Sequence, residues 1–86
     1  MNKRVNYLKN CKLFADEMVK KHSNLIKEWQ VNAINKLNAY CKDEITIKEY
    51  CDFIRAYNHV LIKHEYWVSQ SSWLQYEINC EVANNG

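Results

Sequence analysis

Residues 65–82 read EYWVSQSSWLQYEINCEV, and two chain paths compete for them. Ser72 followed by Gln75 forms a weak capping box. Trp73, Leu74, Ile78 and Val82 then suit a short helix over about 72–82. The rival path rests on alternation. Leu74, Tyr76, Ile78, Cys80 and Val82 interleave with Gln75, Glu77, Asn79 and Glu81, which is the period of a half-buried strand. Pairing it with HEYWV (64–68) across SQSS would make a C-terminal β-hairpin, hence an α+β fold. That loop has neither glycine nor asparagine, and an isolated hairpin is marginal. The helix is preferred, with a turn at Glu65–Ser71, where the apolar stripe arriving from upstream changes direction.

Upstream the helical period is plain. Thr46 with Glu49 makes a capping box. Ile47, Tyr50, Cys51, Phe53, Ile54, Tyr57, Val60, Leu61 and Ile62 then cover a wide arc, so a helix over about 46–65 is expected to touch two neighbours. Further back, one face from Leu8 to Tyr40 collects Leu8, Cys11, Phe14, Ala15, Met18, Val19, His22, Leu25, Ile26, Trp29, Ala33, Leu37 and Tyr40. Its phase holds through HSN at 22–24, so residues 3–41 read as one long amphipathic helix. Such a helix would run roughly 57 Å. A compact globule of 86 residues is only about 30 Å across. Either the helix folds back near Ser23, or a second chain covers the overhanging stripe. The second option is preferred, with Leu8, Met18, His22, Leu25 and Trp29 as the oligomer interface of a homodimer.

Composition agrees with an all-α small helical bundle of one domain, with one long helix and two shorter ones. There is no proline, and the one glycine is Gly86. Hairpin turns usually draw on glycine for positive φ. The start, MNKRVNYLKN, has no apolar region of the kind a secretory signal needs. The longest apolar run, VLI at 60–62, is far short of a membrane span. A soluble, cytoplasmic protein is therefore expected, with Cys11, Cys41, Cys51 and Cys80 as reduced thiols. Asn, Lys, Ile and Tyr supply 34 of the 86 residues. These are amino acids of AT-rich codons, so a complete small gene product of a low-GC bacterium, its plasmid or its phage is expected.

Chemistry-bearing motifs are scarce. Zinc sites show paired ligands at short spacing, but no two cysteines here lie closer than ten positions. His59 and His64, five apart, would point about 140° away from each other on a helix. No metal or cofactor is expected. A Cys–His dyad can be drawn from Cys51 or Cys80 with His59 or His64, yet no spacing requires it, and no internal glycine is present to shape an oxyanion loop. No enzymatic activity is expected. A glycine-rich phosphate loop is excluded by composition.

Charge is asymmetric. Residues 1–42 hold nine Lys/Arg against three Asp/Glu, and residues 43–86 hold three against seven. Lys9, Lys12, Lys20, Lys21 and Lys27 could meet phosphates in a nucleic-acid or nucleotide-binding module. They scatter around the helix, however, and arginine, which dominates base readout, is scarce. Aromatics cluster instead. Tyr66, Trp67 and Trp73, placed around the expected turn with His59 and His64 nearby, form a candidate partner-binding patch. Glu65, Glu77 and Glu81 would compete for a basic groove of the target. The expected function is stoichiometric binding of a host or target protein, as in a phage or mobile-element inhibitor of the anti-CRISPR type. A nucleic-acid-binding module and a helical antitoxin that needs its partner to fold are the alternatives.

Overall fold

A computed structural model describes residues 3–85. It contains two α-helices of equal length, α1 (Lys3–Cys41) and α2 (Ile47–Asn85), each of 39 residues. They run antiparallel as a helical hairpin measuring 63 × 16 × 14 Å. No strand occurs among the described residues. The long first helix and the all-α class agree with the sequence. Two expectations do not.

First, α2 is continuous, so the turn at Glu65–Ser71, the separate helix over 72–82 and the alternative hairpin are all absent. The physical reason is a seven-residue register that the apolar pattern hides. Tyr50, Tyr57, His64, Ser71 and Ile78 form one row, and Phe53, Val60, Trp67, Leu74 and Glu81 form the next. All ten are buried or half-buried, as the seam of a two-helix coiled coil requires. His64, Ser71 and Glu81 put polar groups on that seam, while Tyr66, Trp73 and Tyr76 put exposed aromatics off it. The apparent change of stripe direction comes from this exchange. Of the alternating residues, Leu74 and Ile78 are buried, whereas Tyr76 and Val82 are exposed. Ser72 sits inside the helix, and Gln75 Nε2 donates to Asn79 Oδ1 at 2.9 Å rather than capping anything.

α1 does not fold back near Ser23, in agreement with the preferred reading of one long helix. Second, what covers its stripe is α2 of the same chain. Leu8 and His22 are buried, and Met18, Leu25 and Trp29 are half-buried, so a second copy is not needed to cover that face. An equally long partner helix was the option missed. Matching α1 in length leaves no overhang.

The seam has three zones. At the terminal end Leu8, Ala15, Leu74 and Ile78 form the core, with Cys11 and Trp67 packed against it. Arg4 clamps this end, its Nε donating to Glu81 Oε1 at 2.8 Å, with Glu77 Oε2 at 3.8 Å. The middle is polar. Ser71 Oγ donates to Asp16 Oδ1 across the helices. His22 Nδ1 lies 2.8 Å from the Met18 carbonyl, which can only accept, so that nitrogen carries the proton. At the loop end aromatics fill the seam. Trp29 packs on Phe53 and Tyr57 with centroids 5.2 and 6.1 Å apart, and Tyr40 stacks on Tyr50 at 5.4 Å.

The connection is short and tightly bonded. Glu44 N donates to Ala39 O (2.9 Å) and Asp43 N to Tyr40 O (3.1 Å), a Schellman closure of α1. Its left-handed position is Asp43, at φ 58°. The expected capping box opens α2: Glu49 N donates to Thr46 Oγ1 at 3.2 Å, and Thr46 Oγ1 donates back to Glu49 Oε1 at 3.3 Å. A non-glycine residue with positive φ carries a steric cost. Asp43→Gly should therefore stabilise the hairpin by about 0.5–1 kcal/mol, net of glycine's greater freedom when unfolded. Thermal denaturation should show a rise of roughly 2–8 °C, and a fall would contradict the cap geometry.

Asp16 links the helices electrostatically. Lys12 Nζ, 2.8 Å away, holds its carboxyl below the ordinary 3.8, and the Ser71 hydroxyl adds to that. A depressed carboxylate contributes stability above its unfolded pKa, and that contribution is lost as pH falls through the folded value. The side chain is 45% exposed, so the effect is modest, about 0.5 kcal/mol. Asp16→Asn should be less stable than the parent at pH 7. Urea melts should show the gap closing as pH drops below 3.8. A gap that persists at pH 2 would contradict this assignment.

Candidate functional site

The two terminal halves of the hairpin frame a groove on one flank of the seam. Tyr7, Asn10, Cys11 and Phe14 of α1 line one wall, and Trp67, Gln70 and Trp73 of α2 line the other. Leu8, Ala15 and Leu74 form its floor, and the cavity holds about 590 Å³. Helical spacing builds both walls. Tyr7 and Phe14 are seven apart on α1, and Trp67, Gln70 and Trp73 follow one another at three-residue steps on α2, so each set lies along one edge of its helix. Ala15 is the most buried residue, at 1% exposure, and its small side chain keeps the floor low between the rings.

The rings contact one another. Phe14 meets Trp67 edge-on at 5.4 Å, and Tyr66 meets Trp67 the same way at 5.0 Å. Edge-to-face pairs of this kind fix ring orientation. Tyr7, Phe14, Tyr66 and Trp73 are each more than half exposed. A side-chain hydrogen bond with Cys11 holds the Tyr7 phenol above its ordinary value. Polar groups lie at the rim: Asn10, Gln70 and the Arg4 guanidinium.

Of the residues singled out from sequence, Trp67 and Trp73 line the groove and Tyr66 touches Trp67 beside it, on a continuous helix and not around a turn. His59 is exposed and His64 occupies a seam position, so the two histidines do not share a surface. Glu77 and Glu81 face Arg4 of α1 within the chain, while Glu65 is exposed one residue before Tyr66. Sequence reasoning missed Tyr7 and placed Phe14 on the buried stripe, but Phe14 is 54% exposed. The seven-residue spacing of Tyr7 and Phe14 was the available signal.

Two of the five lysines share a cleft, and the others lie apart from it. Lys12 is paired with Asp16. Lys20 and Lys27 line a cleft of about 510 Å³ on the other flank of the seam, with Asp16, Ser23, Asn24 and Ser71. Lys9 and Lys21 are exposed elsewhere along α1. The four cysteines are free thiols, Cys11 and Cys80 half-buried and Cys41 and Cys51 exposed. Among the described residues no three His, Cys, Asp or Glu side chains converge as metal ligands. Nor is any helix among them long and apolar enough to cross a membrane. Comparisons with family models, curated proteins and solved structures found no match.

Proposed function

We propose that this chain works without catalysis, as a stoichiometric binding protein whose aromatic groove takes an amphipathic helix of a protein partner. The observation that carries this is the open, ring-walled groove between Tyr7, Phe14, Trp67 and Trp73. Exposed aromatics grouped in one concave patch are the residue types that dominate binding hot spots. The groove runs between two parallel helical walls. An incoming helix would lie along it, with apolar anchors at i, i+3 or i+4, and i+7. Asn10, Gln70 and Arg4 at the rim would fix its register.

An inhibitor that occludes its target fits this mode of action, including one of phage or mobile-element origin. Its acidic component rests on Glu65, since Glu77 and Glu81 already face Arg4. The nucleic-acid alternative has only Lys20 and Lys27 together in one cleft, beside the carboxylate of Asp16.

The test is a display selection of random helical peptides against the purified protein. Enriched sequences should show the i, i+3/i+4, i+7 apolar pattern and should quench or blue-shift tryptophan fluorescence. Phe14→Ala with Trp73→Ala should weaken them about tenfold or more. Failure to enrich helices, or binders indifferent to both substitutions, would overturn the proposal.

A further inference from the structure

We infer that a second copy of this chain packs on the flank opposite the aromatic groove, giving a four-helix bundle of two hairpins. That flank carries an aliphatic row on α2, exposed at its ends, Ile47 and Val68, and half-buried at Ile54 and Leu61. Ile47, Ile54, Leu61 and Val68 stand seven residues apart, parallel to the seam rows. Val68 borders the cleft with Val19, Ser23 and Lys27 of α1. Counting on in sevens from Ser23 and Lys27 reaches Leu37 and Ile34. The cleft therefore gives way to an aliphatic surface towards the loop. Ile34, Leu37, Ile47 and Val68 are all exposed.

Surface area argues for the occupant. A compact monomer of this mass, 10.3 kDa, exposes about 5,350 Å², whereas this chain exposes 6543 Å². The difference is about 1,200 Å² per chain, beyond the roughly 800 Å² each partner contributes to a stable interface. The radius of gyration, 19.1 Å, likewise exceeds the roughly 12 Å of a compact chain of this length. A seven-residue aliphatic row is the surface that another left-handed helical pair meshes with. A second hairpin presents that row at the same length.

Charge selects the arrangement. α1 holds eight Lys/Arg against three Asp/Glu, and α2 holds three against five. A twofold pair that sets each α1 beside the partner's α2 joins opposite charges, whereas α1 on α1 would set like charges together. This dimer leaves both aromatic grooves open on the outer flanks.

Light scattering after size exclusion tests it. Across the micromolar range the parent should weigh twice 10.3 kDa. Val68→Glu with Leu37→Glu should halve that mass while circular dichroism keeps its helical signal. If that pair loses helix, Ile34→Lys at its exposed position replaces it, with the same halving expected. Phe14→Ala with Trp73→Ala should leave the dimer intact. A parent of single-chain mass throughout would overturn the inference, as would a dimer indifferent to the flank substitutions. Dissociation by the groove substitutions would instead seat the second copy in the groove, overturning the inference and the proposed function together. Loss of peptide binding with the dimer intact would remove the proposed function alone.

Discussion

Ser69→Pro is expected to cost at least about 3 kcal/mol, enough to unfold much of a domain whose whole stability lies in the usual marginal range. Ser69 is exposed and touches no core, so only the backbone is at stake. Inside a continuous α2 the proline ring would collide with the Glu65 carbonyl and remove the hydrogen bond made there. The damage would fall between the polar middle of the seam and its aliphatic terminal zone. Ser69→Ala is the control and should match or slightly exceed the parent, because alanine is the better helix former. Urea denaturation followed by circular dichroism reads both. A proline variant as stable as the parent would mean that residues 65–71 form a turn after all.

Leu74→Ala and Tyr76→Ala should part company sharply. Leu74 belongs to the terminal core with Leu8, Ala15 and Ile78, so its truncation should cost about 2–3 kcal/mol. Tyr76 is 63% exposed, and its truncation should stay within about 0.5 kcal/mol. A strand with its alternate residues facing inward would lose comparably from both, so equal losses would contradict the helical seam.

These two positions also show where sequence patterning was sufficient and where it failed. In α1 the apolar row was nearly unbroken, and its expected limits at 3 and 41 are those found. Thr46 and Glu49 marked the start of α2 through a cap that the structure contains. The second half of α2 was obscured because burial there does not follow hydrophobicity. Ser71 sits on the seam as the donor to Asp16, and Glu81 sits there to meet Arg4. Both bonds join residues far apart in sequence, which no local pattern reports. Trp73 and Tyr76, large and apolar, are exposed instead.

The same exchange divided the groove. Its α2 wall was legible because Trp67 and Trp73 lie close in the chain. Its α1 wall was not, since Phe14 lies beside Ala15 and next to the true seam, one position too far round to be covered. The loop hid a further feature. The lack of internal glycine pointed rightly to helices, yet the hairpin still needs one left-handed residue, and Asp43 supplies it.

α2 is a single rod from Ile47 to Asn85, and a distance across its middle measures that directly. Nitroxide labels at Arg55 and Asn79, both exposed, would be placed in a cysteine-replaced protein diluted with unlabelled chain. Electron–electron double resonance should then give one narrow distance near 36 Å, twenty-four residues of uninterrupted helix. A distance of roughly 15 Å, as a chain doubling back at 65–71 would give, would contradict the hairpin and the groove built on it.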